Sequence, residues 1–169
     1  MPRFIRASAY KQGEAPVSAD AFWKVLRDWP GVMSWAMEGN PNPPAPLTDT
    51  RLKAGHSVDR IPCTRICYFD TSSGAFPATL EETLLYVDEE ARFIYYNIEG
   101  VGLGGMRNYL ATTTIDELGP ERCLVTCSSR YDVPEGGPVK EIKEGLEAIY
   151  ERSVIQGIPR VVQRQRKRA

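Results

Sequence analysis

Residues 77–157 read PATLEETLLYVDEEARFIYYNIEGVGLGGMRNYLATTTIDELGPERCLVTCSSRYDVPEGGPVKEIKEGLEAIYERSVIQG, and this stretch decides the fold. Four runs rich in β-branched and aromatic residues, 79–87, 92–99, 107–117 and 123–133, predict strands. Turn chemistry at 88–90 and 118–121 and a glycine-rich loop at 100–105 separate them. Connections this short join antiparallel strands. Directly behind them, Val139, Ile142, Leu146, Ile149, Tyr150 and Val154 recur with a helical period over residues 138–157, while Lys140, Glu141, Lys143, Glu144, Glu147 and Glu151 fill the other face. A curved sheet gripping one amphipathic helix does not fill its own concave face, so an internal apolar cavity is expected.

Working outward, residues 4–10 alternate like a strand, and Ser18 is a good N-cap for a helix carrying Phe22, Val25 and Leu26 as far as Trp29. Pro30 and Gly31 stop it, and a short second helix over 32–37 carries Trp35. Residues 38–55 are loop-like, with Pro41, Pro43, Pro44 and Pro46 packed together. Strand-like runs at 56–61 and 63–69 bring the expected sheet to seven strands. Gly157 and Pro159 are expected to end the long helix, giving a domain over 1–158 and a solvated basic tail over 159–169.

The chain has 169 residues, a formal net charge of -1, 42% hydrophobic and 25% charged residues, which suits one α+β domain with a sizeable core. Near-neutral charge argues against nucleic acid as the main partner. The exception is Arg160, Arg164, Arg166, Lys167 and Arg168, a tail without interleaved aromatic residues; a nucleic-acid or anionic-lipid patch is the lesser reading. No run approaches a membrane span and the N-terminus lacks the apolar core of a signal peptide, so a cytoplasmic protein without stable membrane insertion is expected. Cys63 and Cys67, like Cys123 and Cys127, are four residues apart on strands. That spacing is about 13 Å on one face, too far to share a metal ion, so buried thiols rather than a metal site are expected. Gly100, Gly102, Gly104 and Gly105 run from strand to strand, not into a helix, and read as a hairpin tip, not a phosphate cradle.

The order of these elements, with Cys63-Thr-Arg65, Ser73-Gly-Ala-Phe-Pro77-Ala78, Glu82-Thr-Leu84, Val87-Asp-Glu-Glu90, Asn108-Tyr109, Asp132-Val-Pro-Glu-Gly136 and Ile98-Glu-Gly100, resembles the helix-grip superfamily. This superfamily contains START lipid-transfer domains, birch-pollen-allergen proteins, plant abscisic-acid receptors and bacterial polyketide cyclase/dehydrase-like proteins. The resemblance implies a seven-stranded curved antiparallel sheet around a long C-terminal helix, with two short N-terminal helices. Matched to the receptor branch, strand parity places inward Arg65, Cys67 and Phe69; Leu80, Glu82 and Leu84; Phe93, Tyr95 and Asn97; Tyr109, Ala111 and Thr113; Val125, Cys127 and Ser129; with Leu146, Tyr150 and Val154 from the helix. Apolar walls with a few polar groups are typical of small-molecule sites.

Glu82 falls where the receptors have a ligand-directed carboxylate, and is either a general acid or base or the partner of Arg65 in a salt bridge. Tyr109 either donates to a ligand carbonyl or enolate, or packs by its ring. Tyr95 and Asn97 have the same two readings, Cys67 and Cys127 read as wall rather than nucleophiles, and His56, the only histidine, is a minor catalytic candidate. The hormone-anchoring lysine has no match around 35–39, Cys127 replaces a carboxylate, and the receptors' histidine-arginine latch is missing, which argues against abscisic-acid binding and the phosphatase partnership. The function carried forward is a cofactor-free cyclase, dehydratase or isomerase of a polyketide-like, aromatic or polycyclic molecule, with Glu82 and Tyr109 catalytic. The alternative is a non-catalytic carrier of a lipid or hydrophobic metabolite. Either acts as a monomer or weak homodimer.

Overall fold

In the computed structural model, which describes residues 1–169, the chain is α+β: a seven-stranded antiparallel sheet around a long C-terminal helix. β1 (Phe4–Ala15) leads into α1 (Ala19–Arg27) and α2 (Val32–Ala36). β2 (Leu47–Leu52), β3 (Cys63–Phe69), β4 (Thr79–Asp88), β5 (Phe93–Ile98), β6 (Arg107–Gly119) and β7 (Arg122–Pro134) follow. The long helix comprises α3 (Val139–Ala148), a π-helical stretch Ile149–Ile155, and α4 (Gly157–Arg168). Strand order is β1-β7-β6-β5-β4-β3-β2, so β1 returns to pair with β7 while α1 and α2 carry the chain to the opposite edge.

The local chemistry explains the helices. Ser18 Oγ accepts from the Ala21 amide at 3.2 Å, Asp20 sits in the first turn of α1, and Phe22, Trp23, Val25 and Leu26 are buried. One continuous core runs from Phe22 and Trp29 through Leu84, Ile94 and Val125 to Ile155 and Ile158. No helix is long and apolar enough to cross a membrane.

The seventh strand is not the one expected. Residues 56–61 form turns, and β2 arises inside the expected 38–55 loop, immediately after the prolines, where Leu47 and Leu52 pair with Phe69 and Arg65. His56 serves this corner, its Nδ1 accepting from the Thr64 amide at 3.0 Å.

The helix also continues through the expected stop. Gly157 is not a cap: a Cβ there would lie 2.2 Å from the Trp35 carbonyl oxygen, so the glycine lets α4 touch α2. Pro159 falls in the first turn of α4, where a missing amide costs least, and the preceding π-helical turn, with the Gln156 amide on the Glu151 carbonyl at 2.9 Å, absorbs the change of register. Residues 159–169 are therefore helical as far as Arg168, and Ile158, Val161 and Val162 are buried. At about 1.5–3 kcal/mol per buried aliphatic side chain, this holds the segment against fraying.

Candidate functional site

The concave face and the helix line a partly open apolar cavity of about 100 Å³, in which 17 of 20 lining residues are hydrophobic. Ligand pockets commonly measure roughly 300–1,000 Å³, so this one is small. Its wall takes Arg65, Cys67 and Phe69 from β3, Leu80 and Glu82 from β4, Tyr109 from β6, and Leu146, Tyr150 and Val154 from the long helix, all on the expected inward side. Leu84, Ala111, Thr113, Cys127 and Ser129 also face inward but lie deeper, in packed core beside the cavity.

The strand β5 is reversed from expectation. Tyr96 and Ile98 line the cavity, while Phe93, Tyr95 and Asn97 face the other side of the sheet. A one-residue bulge at Leu85 is the cause: Glu82 pairs with Ile98 and Leu84 with Tyr96, but Tyr86 then pairs with Tyr95, and both Leu85 and Tyr86 are exposed. A one-residue slip moves every side chain to the other face. Phe93 packs on Tyr86 outside, their centroids 6.2 Å apart, and the Asn97 Oδ1 atom is buried without a partner on that side. The alternation of Ile94, Tyr96 and Ile98 is the sequence signal that identifies the true inward set.

Other lining residues come from segments that parity does not reach. Val32 and Trp35 of α2, Leu47 of β2 and Phe76 of the β3–β4 loop all join the wall. Phe76 stacks on Phe69 with centroids 5.4 Å apart. Leu103 lies on a 3-10 turn, Leu103–Gly105, where Gly104 has φ +60 and a Cβ would press to 2.7 Å from Ile142, so the loop lies flat on α3.

Two polar groups define the chemistry. The first is an ion pair: Arg65 Nε donates to Glu82 Oε2 at 2.6 Å, Arg65 Nη1 donates to the Trp29 carbonyl at 2.8 Å, and the guanidinium lies 3.6 Å over the Trp29 ring. Cys67 Sγ approaches the same Oε2 at 3.7 Å, and Oε1 has no hydrogen-bond partner in the chain. Burial opposes the Arg65 charge, but the Glu82 carboxylate outweighs it and holds the guanidinium above its ordinary value.

The second is a row of hydroxyls. Tyr150 donates to Ser129 Oγ at 2.7 Å, and Tyr109 and Tyr150 are 2.6 Å apart, which leaves Tyr109 to donate to Tyr150. Tyr96 ends the row 3.5 Å from Tyr109, its proton not held by a short bond. Burial first, then charge repulsion between the rings, pushes Tyr109 and Tyr150 well above the usual tyrosine range; burial and then Glu82 do the same to Tyr96. All three remain neutral donors.

The cysteines are free and buried. Burial pushes the Cys127 thiol up to about 12 and Cys123 to about 11, and Cys67 is raised by burial and then by Glu82, the opposite of an activated nucleophile.

Comparison with known proteins agrees with this architecture. Residues 6–162 match the family described as polyketide cyclase / dehydrase and lipid transport. Norcoclaurine synthase from Thalictrum flavum, solved as a point mutant with a transition-state analogue, superposes with a TM-score of 0.70 at 20% identity, covering 98% of this chain and 99% of that one. The same enzyme in complex with dopamine and hydroxybenzaldehyde gives 0.69 at 21% identity, covering 95% and 88%. XoxI from Bacillus cereus gives 0.67 at 18% identity, covering 94% of each chain. At such identities the likeness is one of fold. No curated protein matches this sequence. Because the family match runs from β1 into α4 and so takes in every wall of the cavity, the chain belongs to the polyketide cyclase / dehydrase and lipid transport family.

Proposed function

We propose that this protein takes a small, mostly apolar molecule into the cavity and moves a proton on it without a cofactor. The observation that carries this reading is Glu82: one carboxylate oxygen is held by Arg65, and the other has no partner in a mostly apolar wall. In the proposed cycle Glu82 accepts a proton from an activated C–H or O–H of the ligand. The electron pair left behind delocalises onto a ligand oxygen, Tyr96 turns its proton from Tyr109 to donate to that oxygen, and the Tyr109 ring, 6.1 Å away between centroids, packs against the Tyr96 ring. Return of the proton at a different carbon completes an isomerisation; if the enolate carbon instead attacks a second carbonyl of the ligand, the new C–C bond forms as that C=O π bond breaks, the proton goes to the alkoxide, and the ring closes with no redox change. Tyr109 thus acts one position further from the ligand than its sequence match implies, because its own proton is engaged by Tyr150.

The test is solvent deuterium exchange into the acidic C–H positions of a panel of small aryl ketones, followed by NMR. Wild type is expected to exchange at least one of them tenfold faster than Glu82→Gln; equal rates across the panel sink the catalytic reading. A carrier is the second reading, favoured by a hydroxyl row largely satisfied within the protein. Native mass spectrometry that finds a bound lipid or metabolite, together with absent exchange, selects it.

A further inference from the structure

Three features of the cavity constrain what it holds, and the inference from them rests on the reading of this cavity as the ligand site. The first is volume. At about 100 Å³ the space is smaller than the roughly 150 Å³ void that accepts a benzene ring in an engineered apolar cavity. One aromatic ring enters with small adjustments of neighbours such as Phe76 and Leu103, which sit on loops; a fused second ring has to project through the open side of the cavity or displace its wall. The second feature is the Oε1 atom of Glu82, an acceptor with no hydrogen-bond partner in the chain and so open to a donor. The third is Tyr96, which stacks edge-on with Trp29 at 5.4 Å between centroids and keeps its proton free of any short bond.

A carbonyl group satisfies only Tyr96, and an ammonium group satisfies only Glu82. A ring hydroxyl satisfies both, donating to Glu82 Oε1 while accepting from Tyr96, and its ring matches the apolar remainder of the wall. We infer that the ligand is a single-ring phenol, held by its hydroxyl between Glu82 and Tyr96, and that the small volume disfavours polycyclic molecules.

The experiment measures binding of phenol, toluene and 1-naphthol to the full chain by ligand-observed NMR and calorimetry. Toluene matches phenol in size and is the more hydrophobic, so an apolar hole without directed polar groups prefers toluene. Wild type is expected to bind phenol at least tenfold more tightly than toluene and to bind 1-naphthol more weakly than phenol. Glu82→Gln, which can turn an amide N–H toward the cavity, and Tyr96→Phe are each expected to reduce the phenol-over-toluene ratio to about threefold or less, with toluene affinity unchanged within about twofold. Unchanged toluene binding certifies that the variants keep a folded cavity. The inference is overturned if toluene binds as tightly as phenol, if 1-naphthol binds more tightly, if neither variant lowers the ratio, or if no probe binds. Failure here alongside Glu82-dependent deuterium exchange of a ketone leaves proton transfer standing with a different ligand, whereas phenol selectivity without any exchange leaves a phenol-binding protein that is not an enzyme.

Discussion

Arg65 and Glu82 face each other directly across β3 and β4, and the pair is anchored because Arg65 also donates to the Trp29 carbonyl and stacks on its ring. Arg65 is only 5% exposed, so its partner keeps it from being an isolated buried charge. Removing one partner of such a pair costs about 3–5 kcal/mol, while replacing both with apolar groups of similar volume is often neutral. Arg65→Met is accordingly expected to lose about 3 kcal/mol in urea unfolding at neutral pH. The double variant Arg65→Met with Glu82→Leu is expected to regain most of it. A double variant as unstable as the single would mean that the Trp29 contacts, not the charge pairing, dominate.

The tyrosine row has a pH signature. Tyr96, Tyr109 and Tyr150 are all raised above the ordinary value of 10.0, chiefly by burial. Below that value both folded and unfolded chains hold these protons, and stability does not depend on them. As pH rises through it, the unfolded chain releases protons that the folded chain retains, so stability falls by about 1.4 kcal/mol per pH unit for each such group. Tyr150→Phe is expected to cost about 1–2 kcal/mol at neutral pH through the lost bonds to Ser129 and Tyr109. Above about pH 10 its stability should decline less steeply than that of wild type, by one group's slope. Chemical denaturation over a pH series reads both effects, and parallel slopes would show that Tyr150 ionises in the folded state.

Much of this arrangement is legible in the sequence because it rests on period and pairing. Alternation on β3, β4 and β6, with the inward face taken from the resemblance to the receptor branch, locates Arg65, Glu82 and Tyr109. The failures share one physical character: each depends on an event that a local pattern does not record. The bulge at Leu85 inserts one residue and reverses β5, so the expected wall holds the neighbours of Tyr96 in its place. Leu47–Leu52 is a strand only because β3 offers its edge beside it. Gly157 and Pro159 look like a helix end until a π-helical turn and the close approach to Trp35 give both a place inside one.

Two glycines of the long helix should respond oppositely to the same substitution. Gly145 is exposed, and a methyl group added there would meet nothing within 4 Å, so Gly145→Ala is expected to stabilise by about 0.5–1 kcal/mol through helix propensity. At Gly157 the same methyl meets a backbone oxygen of α2 at 2.2 Å, which has no rotamer to escape into. Gly157→Ala is expected to cost about 1–3 kcal/mol as α4 and α2 are pushed apart. Thermal unfolding of the two variants decides the matter, and a gain at both positions would mean that α2 is not held against the helix.

The contact between α4 and α2 is also made by Arg164, and its geometry predicts a local effect. Arg164 Nη2 donates to the Ser34 carbonyl at 2.7 Å and Nη1 to the Glu38 carbonyl at 2.9 Å, satisfying groups at the end of α2 that the short helix leaves open. Gly39, with φ +68, passes so close that a Cβ would lie 2.8 Å from Nη1. Because Val32, Trp35 and Ala36 of α2 line the cavity, the basic end of the last helix clamps part of the cavity wall. Arg164→Ala is expected to cost about 1–3 kcal/mol, as two charge-assisted bonds to the backbone are lost. Its effect on amide hydrogen exchange should be concentrated in residues 32–47, with at least tenfold faster exchange there, while β6 and β7 change only by the global loss. Arg164→Lys, which offers a single charged donor group without the planar fork, should fall between the two. Uniform acceleration over the whole chain would instead mean that Arg164 supports general stability and leaves the wall beside α2 no freer than the rest.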